Sequence, residues 1–459
     1  MYKSKNEQKF HFRTSLIVRN SIVISAMILI GFSASSQSQR LGSKALSSGR
    51  YLADKKTETL TTPSGAVATE WNQTAVALSI LPASALAPVQ QTRAIAIVQV
   101  AVHDAVSGIT GRYATYLPRN PAPDGASPEA AAIAAAHYAL VSLFPTQAAS
   151  LNTLYAASLA SHGLAISDPG VAYGESAAAA ILAARANDNA PQAQFDYTAP
   201  GAGTPGIWTR INNAPALLPG WGNVTPWVLR SSSQFRPDAP PPLDSDLYAR
   251  DYNEIKEIGR ATGSTRTAEQ SNIALFWRAS PVAIWNPMLA QVIAARDLDL
   301  SAAAQAYALV AIAGVDAGIS CWDAKYVYNN WRPQLAIRGG DFDGNDATVS
   351  DPSWTAFLPT PPHPDYTSGH TTVSTAMASI LENEFGNEPG VHFSVTQTAI
   401  TREWDTFDEA VQEVIDARVY SGIHFRNSDV VGSRVGGQVG QFVLTHSLRR
   451  CPRRLQFCS

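Results

Sequence analysis

Read as a pattern of apolar and polar positions, most of the chain is helical. The pattern becomes helical from Trp71, and Ala85 to Val106 (ALAPVQQTRAIAIVQVAVHDAV) is apolar on all sides, which predicts a buried helix. The Ala-rich stretches Pro128 to Leu143 and Val171 to Ala186 predict helices of the same kind. Helical signals resume near Leu247 and run through 273–298 and Ser301 to Tyr328, then through Thr371–Phe385, Phe407–Ser421 and Val430–Leu448. Between them, residues 187–245 are rich in Pro, Gly and Asn and carry Phe195, Tyr197, Trp208, Trp221, Trp227 and Phe235. A loop this long is functional or disordered, and its aromatic residues argue against disorder. It reads equally as a pocket wall or as surface covering. A second loop runs from Gly339 to Asp365. With no repeat of fixed period and no strand-rich stretch, the expected fold class is all-α, a helical bundle with long loops.

Composition narrows the picture. Hydrophobic residues make up 45% of the 459 positions and charged residues 15%, as expected of a globular chain. A net charge of −3, from 34 basic and 37 acidic residues, gives no electrostatic case for nucleic acid or an anionic membrane surface. The N-terminus has a basic region (Lys3, Lys5, Lys9, Arg13, Arg19), an apolar run of 11 residues from Ile22 to Phe32, and small residues from Ser33 to Ser36. That order predicts a secretory signal over 1–35, with an uncleaved anchor as the alternative. Residues 36–65 then read as a flexible leader and 66–459 as the catalytic domain of a secreted or periplasmic protein. No later segment reads as apolar enough to span a bilayer. In an exported chain Cys451 and Cys458 would close a short disulfide loop, leaving Cys321 over.

Some polar residues invite a bland reading. His103, Asp104 and His137 sit on apolar helices, as satisfied core groups do. The segment DFDGND (341–346) matches early calcium-loop positions at Asp341, Asp343 and Asn345. The required sixth-position Gly is Asp346 and the twelfth position is Pro352, so a plain acidic turn is expected.

Chemistry concentrates in the last third. CWDAKYVYNNWRP places Lys325 and Arg332 seven residues apart, so both cations leave one helix end near Pro333, where they can converge on one anion. PTPPHPDYTSGHTT predicts a helix starting at Gly369 to Thr371, where unpaired N–H groups and the helix dipole favour an anion. Gly369 lets backbone approach it, Ser368 adds a hydroxyl donor, and His370 lies in the first turn. In ARVYSGIHFRNSD, Arg418 precedes His424 by six residues, with Gly422 breaking the helix between them. Together these seven residues predict one oxyanion pocket.

K-x6-RP, SGH and R-x5-H, read at Lys325–Arg332–Pro333, Ser368–Gly369–His370 and Arg418–His424, resemble the signature shared by vanadium-dependent haloperoxidases and type 2 phosphatidic acid phosphatases. The wider likeness covers roughly residues 70–445, including the RAIAIVQVAVHDAV helix and the FW…WN segment at Phe276 to Asn286, and looks like the soluble haloperoxidase branch. Two departures stand out. Thr367 replaces the usual Pro before SGH. Where the phosphatases place an acid that orients the nucleophilic His, four positions after the last His, this chain has Ser428, with Asp429 one residue late.

The resemblance implies vanadate as cofactor and His424 as its axial ligand. Lys325, Arg332 and Arg418 would neutralise the equatorial oxygens, with hydrogen bonds from Ser368 and the Gly369 N–H. His370 would act as the acid–base group and Lys325 would polarise the peroxide. Hydrogen peroxide, halide and an organic acceptor are the implied partners, and the helical faces would permit a homodimer. His363, where similar bromoperoxidases carry His and chloroperoxidases Phe, points to bromide or iodide. Trp322 looks more like the chloroperoxidase arrangement. The rival reading is an acid phosphatase in which His424 attacks phosphorus. A non-catalytic anion-binding protein would be expected to have lost one of the two histidines, and both are present.

Overall fold

The computed structural model describes residues 64–452. The expected signal, the expected leader up to residue 63, and Cys458 of the expected disulfide lie outside that range. Five helices lead: α1 (Ala66–Ile80), α2 (Pro88–Thr110), α3 (Pro128–Leu143), α4 (Ala148–Ser161) and α5 (Pro169–Arg185). After the aromatic loop come α6 (Asp246–Ile258), α7 (Ala268–Phe276), α8 (Val282–Ala295), α9 (Leu300–Tyr328) and α10 (Pro333–Arg338). The chain closes with α11 (Gly369–Phe385), α12 (Phe407–Tyr420) and α13 (Arg426–His446).

The 29-residue α9 is the axis of the bundle. Asp299 caps its start by accepting the Ala302 N–H, and Asn329, in the left-handed region at φ 49°, ends it. The small side chains of α9 let α2, α11 and α13 pack closely around it. Contrary to the sequence expectation, α9 is long and apolar enough to cross a membrane by length and composition. Its apolar window is 94% buried inside the protein, as in the core helix of a bundle.

Three expectations are corrected. Residues 273–298 form two helices, because the chain turns at Trp277 to Pro281 between α7 and α8. The helix bearing Lys325 ends at Tyr328, so Arg332 is not on it: Arg332 is extended (φ −82°, ψ 153°) and Pro333 begins α10. A strand pair also exists, β1 (Phe393–Gln397) antiparallel to β2 (Ile400–Trp404), with Phe393 opposite Trp404. Its turn residues Thr398 and Ala399 hold φ of 48° and 68° without the Asn-Gly pair that would have advertised a hairpin.

The aromatic loop is anchored by a buried carboxylate in the middle of α9. Asp316 accepts the backbone N–H groups of Trp227, Val228 and Leu229 at 2.7, 2.8 and 3.0 Å. Further along, Leu217 offers its carbonyl to Trp322 Nε1 (3.3 Å) and Tyr326 Oη (2.7 Å), so the loop supplies a pocket wall. The acidic turn is mostly exposed, with only Asp343 buried, its carboxylate accepting from Thr348 and Tyr248. Among the described residues no group of His, Cys, Asp and Glu is arranged to hold a metal. Asp104 accepts the N–H groups of Tyr116 and Leu117, and His103 meets the Ala114 carbonyl, as core polar groups do.

Candidate active site

The end of α9 with the turn into α10, the start of α11, and the α12–α13 turn meet at one cavity of about 120 Å³. Gly369, His370, Arg418 and His424 line its polar side. Val89, Leu217, Pro281, Trp322, Pro361 and Val373 make an apolar wall opposite, and His363 also faces in. Lys325, Arg332 and Ser368 stand behind this lining, all fully buried.

Each cation is fixed by carbonyls. Lys325 Nζ donates to the Pro364 and Asp365 carbonyls at 2.8 and 2.9 Å. Arg332 donates to the carbonyls of His363 and Ile423, both at 2.7 Å, and its Nη1 reaches His424 Nε2 at 3.1 Å. Arg418 Nη1 donates to the Trp277 carbonyl at 2.8 Å, while its Nε has no partner among the described residues. The buried Ser368 hydroxyl has no well-aligned partner among the described residues, although it lies near the Asp429 carboxylate. Ser368 precedes the first turn of α11, where the N–H groups of Gly369 to Thr371 lie too early for helical partners. Gly369 is needed for space: a Cβ there would stand 3.1 Å from the Trp322 ring.

Protonation follows from burial. It lowers Lys325 to about 7, with Arg332 nearby pushing the same way. Arg332 and Arg418 fall to about 10 and stay charged. His363, His370 and His424 lie well below the ordinary imidazole value, first by burial and then by the cations around them, so their rings are neutral. Because arginine only donates, His424 Nε2 must carry its lone pair and Nδ1 its proton. His370 Nε2 meets the Ala279 carbonyl at 3.2 Å and so holds its ring's proton, leaving Nδ1 basic.

Two buried carboxylates complete the site. Asp365 Oδ1 lies 2.8 Å from His424 Nδ1. Burial raises Asp365 to about 6, against the pull of Arg332. The sequence reading allowed a loop to bring Asp429 to His424. Instead Asp429 sits with Ser368 and Arg418, raised well above the usual carboxylate range by burial. Asp365 was passed over in the sequence, although an acid three residues before Ser368 was the available signal.

The seven residues named from the sequence are therefore brought together, with Trp322 and His363 at the apolar edge, their rings 4.9 Å apart. His363 does more than face the cavity, since its carbonyl and ring both contact Arg332. Unpartnered donors, three fixed cations and one imidazole lone pair form a donor set suited to a small tetrahedral oxyanion.

A family model described as the VCPO second helical-bundle domain matches residues 305–451, which contain every residue of this donor set. The chain is 25% identical over 206 residues to the vanadium chloroperoxidase of Curvularia inaequalis, a match covering 38% of this chain and 33% of that protein's length. Among solved structures, that of the first bacterial vanadium-dependent iodoperoxidase superposes with a TM-score of 0.74 at 26% identity, over 87% of this chain and all of the other. A holo-type bacterial vanadium-dependent chloroperoxidase shares the fold at a TM-score of 0.62 and 19% identity, over 79% of this chain and 93% of its own. In fold and in the sequence of its last third, the chain is similar to vanadium haloperoxidases.

Proposed function

We propose that this chain is a vanadate-dependent haloperoxidase, converting hydrogen peroxide, halide and a proton into hypohalous acid and water. The observation that carries the reading is the neutral His424, whose Nε2 lone pair faces three buried cations. The donor set fits vanadate: Lys325, Arg332 and Arg418 would offset its charge, the Ser368 hydroxyl and the Gly369 N–H would bond its oxygens, and His424 Nε2 would be its protein ligand. When bound, vanadate supplies a Lewis acid that activates peroxide without changing oxidation state. In this reading His370 Nδ1 takes a proton from incoming peroxide and returns it as water leaves. Lys325 keeps one N–H free to polarise the peroxide, since two carbonyls hold the other two.

The same reading favours bromide or iodide. A halide reaching this cavity passes an apolar wall that offers little in exchange for its water, and large halides shed water more readily than chloride. The similarity to an iodoperoxidase supports that direction.

A phosphatase reading has one observation in its favour. A carboxylate behind His424 is what a nucleophilic imidazole would need, and Asp365 supplies it. One assay separates the two. Protein loaded with orthovanadate is given peroxide with bromide or iodide, read by monochlorodimedone or triiodide, and a parallel sample receives para-nitrophenyl phosphate. Halide oxidation is expected, and phosphatase turnover without it would overturn the reading. His424→Ala should lose vanadate, whereas His370→Ala should retain it and turn over ~100- to 10,000-fold more slowly.

A further inference from the structure

We infer that Asp365, gripped by Ser428, is the positioning residue that holds the His424 ring with Nε2 turned to the anion. The inference rests on His424 being the residue that meets the anion. It explains the chain's departure from the phosphatase pattern at position 428: a serine stands there because the carboxylate arrives from the Pro-rich approach to α11.

The Asp365 carboxylate has two engaged faces. Its Oδ2 accepts the Ser428 hydroxyl in a short hydrogen bond. Its Oδ1 lies 2.8 Å from His424 Nδ1 as an ion-pair contact, and neither atom has a well-aligned hydrogen-bond partner among the described residues. The contact is close but bent. The carboxylate also serves as counter-ion to Arg332, whose Nη1 is 4.0 Å from Oδ1, and the closer contact is the one to His424. Lys325 bonds the backbone carbonyl of Asp365 and not its carboxylate.

Both anchors are themselves fixed. The Asp365 N–H donates to the Asn330 carbonyl at 2.9 Å. Ser428, in the first turn of α13, donates its N–H to Phe425 and accepts the Ser368 N–H at 3.0 Å. The same serine therefore ties the carboxylate behind His424 to the donor turn in front of it. A neutral imidazole presents a lone pair at Nε2 in only one tautomer, and a carboxylate at Nδ1–H selects that tautomer and makes Nε2 more basic.

The test uses the full chain and Asp365→Asn, which keeps the size of the side chain but removes the obligate acceptor. In the anion-free wild type, ¹⁵N-histidine NMR should show His424 protonated at Nδ1, which Arg332 at Nε2 also favours, and in Asp365→Asn the fraction protonated at Nε2 should rise. Orthovanadate affinity, measured by equilibrium dialysis, should fall about 10- to 100-fold. Ser428→Ala should shift both readouts the same way by less, and it decides the matter if Asp365→Asn does not fold. Folded variants with the wild-type tautomer and affinity would overturn the inference. The tautomer is read without anion, so a wild type that binds no vanadate would sink the haloperoxidase reading while a tautomer shift in Asp365→Asn still upheld the positioning role.

Discussion

Lys325 shows how costly the pocket is when nothing compensates its charge. It is fully buried at the end of α9, with two carbonyls as partners and Arg332 as a neighbour. Its folded value of about 7 is below the ordinary 10.5 of an exposed lysine. Between those values the unfolded chain holds more protons than the folded one, so this group makes stability rise with pH across that window. Below about 7 both states are charged and the full cost of burial applies. Relative to Lys325→Met, the anion-free wild type should therefore gain stability between pH 6.5 and pH 9.5, by on the order of a few kcal/mol, in urea melts. A constant gap would refute the account. The donors were legible in the sequence because three cations, SGH and a paired Arg and His have few other reasons to recur in that order. Asp365 was not, because a single carboxylate among prolines has no spacing that reveals its partner.

The contact between α11 and α13 decides where the donor turn sits. A Cβ built on Gly436 would come within 2.3 Å of the Thr372 carbonyl, whereas one on neighbouring Gly437 meets nothing within 4 Å. Gly436→Ala should cost about 1–3 kcal/mol by overpacking and weaken anion binding, because α11 carries Gly369 and His370 on its first turn. Gly437→Ala should be neutral or stabilise by up to about 1 kcal/mol, since alanine is the better helix former. Chemical denaturation of the pair checks both, and equal effects would sink the argument. Helices were legible from apolar periodicity, including the start of α11 at Gly369. What periodicity missed were the interruptions: the Trp277–Pro281 turn and a hairpin turned by Thr398 and Ala399. The hairpin is a backbone conformation set by tertiary packing, since Thr398 and Ala399 carry little turn propensity, whereas Ser280 and Pro281 were an available signal for the other turn.

Across the molecule, one buried helix joins the long loop to the site. α9 holds the aromatic loop through Asp316 at its middle and presents Trp322 and Lys325 near its end, so the apolar wall and the cationic floor share a rigid support. The all-α class followed from helices apolar on every side, but the destination of the 187–245 loop did not, because one carboxylate catching three N–H groups leaves no periodic trace. The contact between Arg332 and His424 Nε2 also has a kinetic meaning. The lone pair that would meet vanadate is capped by a guanidinium, and two carbonyls hold that guanidinium in place. Arg332 must withdraw before the bond to His424 can form, so uptake should be gated. In stopped-flow mixing the observed rate should climb and then level off as orthovanadate increases, the plateau reporting how often the arginine lets go. A rate that stays linear to the highest concentration would show an ungated site.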